Sequence, residues 1–402
     1  MSNLQTEISV LEQIRKLTVK LEQELISLRR RLHAHPELSH QEEQTSGHIA
    51  TLLRQAGYEV QTNVGGFGLV CQTTSKSKYT IGFRGDMDAL PVTEDTGLAF
   101  SSTNAGVMHA CGHDVHTTIV AGLALILKKM ERELPVNVRF LFQPAEEATE
   151  GGAVKLIDAG VADGLLALFG VHVDPGIDLG RFGVRNGAMM ASIDFVEIML
   201  KGRGGHGAYP EQTVDPIRLS SMLLQDLYQL PEKEFSGERV VLSFGQITSG
   251  TNHNVIPDTC LLKGTFRTFS HDSRKKMSAM LRDRVGLFAE NHGAQAEVMV
   301  IPNAPPVMND EKLGSIMTEA IETVHGSGAL LPVEPMMASE DFAFYADRCP
   351  TYFLRLGSGS SDKTRFGLHN SRFDVDERVI ALALQVLATL PFQFNSSGEP
   401  SD

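Results

Sequence analysis

A short segment of the chain brings together side chains that bind metals. The run MHACGHDVH, from Met108 to His116, contains three histidines, one cysteine and one acid. Cys111 and His113 lie two residues apart at the junction of a predicted loop and helix, where both side chains can converge on one ion. A thiol beside histidines can also be a nucleophile, with Cys111 as thiolate and His113 as base. The segment therefore predicts a metal site or a cysteine nucleophile, with His109 and His116 as supporting residues.

A pair of glutamates follows a predicted central strand. The sequence QPAEE comes directly after the apolar run 138–142 and places Glu146 beside Glu147. Open α/β sheets carry their active sites at the carboxyl ends of their strands. Because consecutive residues leaving a strand point in different directions, one glutamate can bind an ion while the other accepts a proton from attacking water. This pattern favours metal-assisted hydrolysis.

Two further histidines complete a set of potential metal ligands. His172 ends the apolar strand predicted at 165–173, and His369 precedes the last predicted helix. With Cys111, His113 and Glu147 they make five ligands, more than one tetrahedral zinc requires and suited to two ions that share a bridge. The thiolate of Cys111 is the natural bridge, and zinc, manganese, cobalt and nickel all suit such mixed ligands.

The run RGDMD, from Arg84, follows another predicted strand at 80–84. Its acids can accept a hydrogen bond from a ligating imidazole and orient the ring. We therefore expect Asp86 to support the metal site without binding an ion.

The order of predicted helices and strands indicates an α/β fold with two domains. Helical and strand patterns alternate through the first half, which is typical of a mostly parallel sheet covered by helices. From about residue 194 the order is strand, helix, strand, strand, helix, strand, with one helix at 216–230, which resembles an inserted α+β sandwich. We predict a metallohydrolase domain in two parts, 1–186 and 303–402, and an inserted lid or dimerisation domain at 187–302. The Ser-, Gly- and Pro-rich tail, 395–402, is predicted to be disordered.

Composition excludes several classes of partner. The 402 residues include 36 basic and 49 acidic side chains, for a net charge of −13. Nucleic acid and anionic membranes need a basic face, so neither is expected as a partner. No apolar run approaches the roughly 18 residues that span a bilayer, and the first residues lack the pattern of a signal peptide. The four cysteines are too far apart for a disulfide framework, which predicts a cytoplasmic location.

The motifs together resemble the dinuclear-metal aminoacylase and carboxypeptidase family, in the branch of hippurate hydrolases, auxin-conjugate amidohydrolases and N-acetyl-diaminopimelate deacetylases. The resemblance runs from His35 to Glu377, nearly the full chain. It rests on long motifs: HPELS from His35, RGDMDALP from Arg84, MHACGHDVH from Met108, QPAEE from Gln143 and GRGGHGAYP from Gly202.

The resemblance implies a role for each candidate ligand at a site with two divalent metal ions. Cys111 would bridge the two ions, His113 and His172 would bind one of them, and Glu147 and His369 would bind the other. Glu146 would be the general base.

The resemblance also implies roles for the inserted domain. In the family this domain serves as a lid and often as a dimer interface, and His206 would reach the scissile carbonyl, in many members from the neighbouring subunit. Asn254 and Arg267 occupy positions that look like the family's carboxylate-recognition groups. The implied reaction is hydrolysis of a small N-acyl amino acid or dipeptide-like substrate to a carboxylic acid and a free amino acid, by a homodimer.

Two other functions fit parts of the pattern. A metal-independent thiol amidase would use Cys111 and His113, but it leaves Glu147, His172 and His369 without a role. A catalytically silent ligand-binding protein could keep the same fold, although the complete set of ligands and the base argue against that function.

Overall fold

The computed structural model describes residues 3–395 and 398–399, with side chains from residue 8 onward. Of the tail that the sequence predicts to be disordered, residues 396–397 and 400–402 lie outside this description. In the part of the chain that is described, no helix is both long enough and apolar enough to cross a bilayer.

The helices and strands alternate along most of the chain. The helices are α1 (Asn3–Ala34), α2 (Glu43–Gln55), α3 (His113–Lys129), α4 (Gly152–Asp158), α5 (Pro216–Leu227), α6 (Leu230–Glu234), α7 (His271–Asn291), α8 (Glu311–His325) and α9 (Arg378–Leu387). The strands are β1 (Val60–Val64), β2 (Gly68–Gln72), β3 (Thr80–Asp86), β4 (Asn137–Gln143), β5 (Leu165–Asp178), β6 (Phe182–Val184), β7 (Gly187–Met190), β8 (Asp194–Lys201), β9 (Gly205–His206), β10 (Val241–Ser249), β11 (Val255–Ile256), β12 (Thr259–Arg267), β13 (Gln295–Pro302), β14 (Val307–Asn309), β15 (Leu330–Pro332) and β16 (Thr351–Gly359).

The chain divides into two compact units. The first contains residues 1–187, 308–334 and 344–402, and the second contains residues 188–307 and 335–343. Residues 335–343 join the second unit through backbone contacts; for example, the N–H of Ala191 donates to the carbonyls of Met336 and Ala338. The domain boundaries expected from the sequence stay a prediction and differ from these units chiefly at 303–307 and 335–343.

The first unit is built on an eight-stranded sheet of order β1-β2-β4-β3-β5-β16-β6-β15 within the described residues. Strand β3 runs parallel to both β4 and β5, and β16 runs parallel to β5. These central strands are buried along most of their length, as expected for strands covered by helices on both faces. Their carboxyl ends therefore meet at one edge of the sheet, which is where open α/β sheets bind ligands.

Helix α3 fixes the segment that begins at its amino end. Every residue from His113 to Leu127 is buried, and the helix packs against α1, α9 and β3. Gly122 lets α3 approach its neighbours closely, because a Cβ there would lie 3.0 Å from side-chain carbons of Leu25 and Leu384. A helix that is buried on all sides belongs to a core, so packing holds the first turn of α3 in place at the sheet edge.

The second unit has its own core and sheet. Its four-stranded antiparallel sheet has the order β10-β12-β8-β13, and α5 and α7 cover one face. Strand β8 alternates buried and half-buried residues along its length, as expected when one face of a sheet is packed. The element order β8, α5, β10, β12, α7, β13 matches the α+β pattern read from the sequence.

The fold class predicted from the sequence is confirmed: a largely parallel α/β unit and a separate α+β sandwich. Two elements differ from their predictions. The strand expected at 165–173 continues to Asp178, so His172 lies within β5 rather than at its end. The helix expected at 216–230 ends at Leu227, and a second short helix, α6, begins at Leu230. Pro231 accounts for the break, because proline lacks the N–H that a continuous helix requires and fits the first turn of a new one.

Candidate metal centre and active site

The loop before α3 turns Cys111 and His113 toward the sheet edge. Gly112, between them, has a φ of 86°, in the left-handed region that glycine adopts without strain. A Cβ on Gly112 would also lie 2.3 Å from Cγ2 of Val173. Glycine is therefore required at this position, and the Cys-Gly-His spacing is a consequence of the tight approach of the loop to β5.

The predicted ligands form overlapping groups whose donor atoms lie within 4.8 Å of one another. These groups are Cys111, His113 and His172; Cys111, Glu147 and His369; and His113, Glu146 and Glu147. The sulfur of Cys111 is 3.4 Å from Nε2 of His172, and Nε2 of His369 is 3.3 Å from Oε1 of Glu147. The structure thus brings all five predicted ligands and Glu146 together, and Cys111 belongs to two of the groups.

Hydrogen bonds orient two of the imidazoles toward the cluster. Nδ1 of His113 lies 3.1 Å from Oδ1 of Asp88, and Nδ1 of His172 lies 2.8 Å from the carbonyl oxygen of Val173. Because these partners are acceptors, each Nδ1 carries a proton, and in the neutral form of each ring Nε2 presents a lone pair. Among the described residues, the buried Nε2 of His113 has no hydrogen-bond partner. When His113 is neutral, the lone pair of this unpartnered nitrogen faces the thiol and carboxylates of the cluster and is suited to bind a cation.

Asp86 lies beside the cluster, with its Oδ2 3.8 Å from Nε2 of His113, but its hydrogen bond goes to a different histidine. Its Oδ1 is 2.8 Å from Nδ1 of His116, and its Oδ2 pairs with the buried guanidinium of Arg84. Nε2 of His116 in turn accepts the backbone N–H of Val173 at 2.9 Å. Asp86 and His116 therefore support the backbone next to His172, while the carboxylate that holds His113 is that of Asp88.

The carboxylates of the cluster create an excess of negative charge that a cation would compensate. Burial, reinforced by the carboxylates of Glu147 and Glu146, raises the pKa of the Cys111 thiol well above its usual value. Burial lowers the pKa of His113, but Asp86 and Asp88 outweigh burial and raise the pKa to about 10. A proton on His113 thus compensates the surrounding carboxylates when no cation is present. Divalent ions would supply that compensation and favour the thiolate, so the residues present fit such ions.

The thiol amidase alternative is not favoured by this geometry. The sulfur of Cys111 contacts His172, and burial lowers the pKa of that imidazole well below its usual value. A thiol with a raised pKa beside carboxylates is a weak nucleophile, because reactive cysteines need an electropositive setting.

Two residues of the site region adopt left-handed backbone conformations that non-glycine residues rarely show. His369 has a φ of 65° and Ala145, which precedes Glu146, has a φ of 55°. The N–H of His369 donates to the carbonyl of Ala110 at 2.8 Å, which ties the His369 loop to the segment of Cys111. Such outliers persist where the surrounding structure holds them, and they cluster at functional sites.

The remaining predicted residues lie in the second unit. Strand β9, with His206, pairs with β11, and the N–H of Gly207 donates to the carbonyl of Asn254 at 2.9 Å. The structure thus brings His206 and Asn254 together. Arg267 ends β12, and its Nη1 donates to the carbonyl of Met337 at 2.7 Å.

Asp88 was expected only as one of the two acids of the RGDMD run, and Glu42 was not predicted to contact the site. Asp88 accepts hydrogen bonds from His113 and from the backbone N–H of Glu147. Glu42 is buried and accepts the N–H of Ala145. The sequence offers two signals for these residues: Asp88 is the second acid of the RGDMD run, and Glu42 follows shortly after the HPELS motif. Neither signal identifies the residue that the acid contacts.

A group of thiol, imidazole and carboxylate donors, buried except for Glu147 and His369, lies at the carboxyl edge of the parallel strands with a further glutamate beside it. This arrangement defines a metal-dependent hydrolase. Comparison with known proteins agrees. The model of Peptidase family M20/M25/M40 matches residues 82–392. The chain therefore belongs to peptidase family M20/M25/M40.

Individual relatives align over almost the whole chain. The N-acetylcysteine deacetylase of Bacillus subtilis (strain 168) is 36% identical over 377 residues, which cover 91% of this chain and 95% of the relative. The IAA-amino acid hydrolase ILR1-like 4 of Arabidopsis thaliana is 32% identical over 376 residues, covering 92% and 85%. The crystal structure of the Bacillus subtilis YXEP protein, a dinuclear metal binding peptidase from the M20 family, superposes with a TM-score of 0.83 at 34% identity, covering 92% and 98%.

These comparisons confirm the family resemblance and the general reaction predicted from the sequence. The protein is a hydrolase of the metal-dependent amidohydrolase class. The family and the donor set together support two divalent metal ions as cofactors.

Proposed function

We propose that the protein hydrolyses the amide bond of small N-acyl amino acids, with two divalent ions that share Cys111 as a ligand. One observation carries the proposal: the sulfur of Cys111 belongs both to the group with His113 and His172 and to the group with Glu147 and His369. The deacetylase and IAA-amino acid hydrolase names of two relatives support the substrate class.

His113 and His172 would hold one ion, and Glu147 and His369 the other. Two such ions would polarise the amide carbonyl and make water a nucleophile near neutral pH. The roles of the surrounding residues follow from their contacts. Asp88 and the carbonyl of Val173 keep the Nε2 atoms of His113 and His172 directed into the cluster.

Glu146 would move the proton during catalysis. Its Oε2 lies 3.9 Å from Nε2 of His113, beside the donor cluster, and its side chain is only about 10% exposed. As the general base Glu146 would accept the proton of the attacking water, and it would then donate that proton to the departing amine.

The second unit would contribute groups that bind the substrate. The N–H of Ala208 donates to Nδ1 of His206 at 3.1 Å, which leaves the ring proton on Nε2. An exposed N–H of this kind suits stabilisation of the oxyanion of the tetrahedral intermediate. Arg267 and Asn254 would bind the free carboxylate of the substrate, since a guanidinium can contact both of its oxygens.

We further propose a cytoplasmic homodimer, and the four cysteines buried as free thiols agree with a reducing location.

The test is hydrolysis of a substrate panel by defined metal forms. Metal-free protein is reconstituted separately with zinc, manganese, cobalt and nickel and assayed against N-acetyl, N-benzoyl and indole-acetyl amino acids. We expect turnover only in the metal-loaded forms, together with a marked loss when the substrate carboxylate is esterified. Activity that is insensitive to chelators would refute the metal-dependent mechanism, and equal rates on esterified substrates would refute the carboxylate anchor.

A further inference from the structure

Glu42 is a buried carboxylate that contacts the loop carrying the two glutamates. Its Oε1 accepts the N–H of Ala145 at 2.8 Å and the N–H of His40 at 2.9 Å. Ala145 has a φ of 55° and His40 a φ of 66°, so both donors belong to residues in the left-handed region. One oxygen atom thus holds two backbone positions that are unfavourable for a side chain bearing a Cβ.

The bond to Ala145 fixes the start of the glutamate loop. The carbonyl of Ala145 accepts the N–H of Gly152 at 2.9 Å, so both backbone groups of Ala145 are paired. A Cβ on Gly152 would lie 1.8 Å from the carbonyl oxygen of Pro144, which shows how tightly this loop closes. The strained conformation of Ala145 directs the chain out of β4 and toward the donor cluster.

A second contact fixes the loop just beyond Glu146. The N–H of Glu147 donates to Oδ2 of Asp88 at 3.0 Å, and the same oxygen accepts the hydroxyl of Ser39 at 2.7 Å. Glu146 therefore lies between two anchored N–H groups. One anchor is Glu42 itself, and the other is Asp88, which Ser39 holds from the same part of the chain.

The segment 37–42 is itself held firmly. The N–H of Ala89 donates to the carbonyl of Glu37 at 2.8 Å, and Leu38 forms a parallel bridge with Ala89. The carboxylate of Glu37 accepts the N–H groups of Gln44 and Thr45 in the first turn of α2. An acid at a helix amino end satisfies free N–H groups and is favoured by the helix dipole.

We propose that Glu42 is a positioning residue for catalysis: by holding the backbone of Ala145, it sets the direction of Glu146 and the placement of Glu147. This inference rests on the proposed function, in which Glu146 is the base and Glu147 a metal ligand. Glu42 touches neither the substrate nor an ion in this role and acts only through the backbone of the loop.

Substitutions at Glu42 can separate hydrogen bonding from charge. Among the described residues Oε2 of Glu42 has no hydrogen-bond partner, so an amide nitrogen at that place breaks no bond. Glu42→Gln therefore keeps the acceptor, whereas Glu42→Met fills the space without one. Glu42→Asp keeps the charge but shortens the side chain by one methylene. This variant replaces the methionine variant in the test if Glu42→Met does not fold. Glu43→Ala, at the exposed neighbouring residue, is the matched control.

Two measurements on the purified protein test the proposal. Because small misplacements of catalytic groups are costly, we expect kcat of the metal-loaded Met and Asp variants to fall at least about tenfold, with KM changed less than about threefold. Hydrogen–deuterium exchange of the peptide containing Ala145, followed by mass spectrometry, should become faster in the same variants. The Gln and control variants should match the wild type in both measurements.

The outcomes separate this inference from the function on which it rests. Wild-type kcat and exchange in folded Glu42→Met or Glu42→Asp would overturn the positioning role, as would a folded Glu42→Gln as impaired as the methionine variant. Exchange at Ala145 could be faster in the Met and Asp variants even though the wild type hydrolyses no N-acyl amino acid. That result would support the anchoring role of Glu42 and refute the proposed function. Isothermal titration of metal into each metal-free variant adds a readout independent of turnover, and we expect weaker binding in the Met and Asp variants because Glu147 is displaced.

Discussion

The carboxylate of Asp88 accepts a hydrogen bond from the imidazole of His113, with 3.1 Å between Oδ1 and Nδ1. Its second oxygen accepts the backbone N–H of Glu147 and the hydroxyl of Ser39. A single buried carboxylate therefore orients the ring of one proposed ligand and the backbone of another. Because these two ligands are assigned to different ions, Asp88 couples the geometry of the two halves of the site.

We predict that Asp88→Asn weakens metal binding by about 10- to 100-fold, the usual cost of losing a partner that orients a ligand. In asparagine an amide nitrogen would replace one of the two oxygens. It would then face either the N–H of the His113 ring or the N–H of Glu147 and the hydroxyl of Ser39, and in both places two donors would oppose each other. Isothermal titration of manganese or zinc into the metal-free protein measures the change. Asp95→Asn, at an exposed residue, is the control. An affinity equal to that of the wild type would show that Asp88 does not orient His113.

Cys111→Ala should lose metal and activity together. Since Cys111 belongs to both donor groups, its removal weakens the binding of both proposed ions. Elemental analysis after dialysis should show less metal per chain than in the wild type. Cys71→Ala makes the same chemical change at another buried cysteine, outside the donor groups, and should keep its metal. Equal metal content in the two variants would contradict the bridging role.

Glu146→Gln should separate chemistry from metal binding. We expect kcat to fall by about 100- to 10,000-fold, the usual contribution of a general acid or base, with metal content unchanged. Glu150→Gln, at an exposed residue of the same loop, should retain turnover. Loss of metal from Glu146→Gln would instead identify Glu146 as a ligand.

The sequence predicts that Cys111, His113 and Glu147 lie close together because the constraint on each of these residues is local; their roles as ligands stay a prediction. Cys111 and His113 are separated by a glycine that a close approach demands, and Glu147 follows a buried strand. The carboxyl ends of parallel strands meet at one edge of the sheet whatever the details of packing. The order of elements therefore accounts for the position of Glu147 at this edge, but not for that of His369, whose loop is held by the bond from its N–H to the carbonyl of Ala110.

The supporting contacts are harder to predict, because they depend on side-chain directions set by tertiary packing. The RGDMD run offers Asp86 and Asp88, and its letters do not reveal that His113 contacts the second and His116 the first. Glu42 reaches Ala145 across 103 positions of sequence, and no periodic pattern encodes such a contact. Strand β16 was not predicted either. It is as buried as β4 and β5, but its sequence TYFLRLGSG has only a short apolar run, which Arg355 interrupts.

The buried state of Glu42 gives a prediction for the dependence of stability on pH. Burial, with a contribution from the charge of Asp88, raises the pKa of Glu42 from 4.5 to about 7. The folded protein therefore retains a proton that the unfolded chain releases between these values. The contribution of Glu42 to stability is then fully present below pH 4.5, falls as pH rises to 7, and stays low above pH 7.

Glu42→Gln removes this titration while it keeps the acceptor for Ala145. We expect the free energy of unfolding of the wild type to fall relative to that of Glu42→Gln by about 2–3 kcal/mol between roughly pH 4 and pH 8. Urea denaturation of the metal-free proteins at several pH values measures the difference, and Glu43→Gln, at the exposed neighbour, should behave as the wild type does. A constant difference between wild type and Glu42→Gln across this range would mean that the carboxylate stays ionised in the folded protein, compensated by charges other than those identified around it.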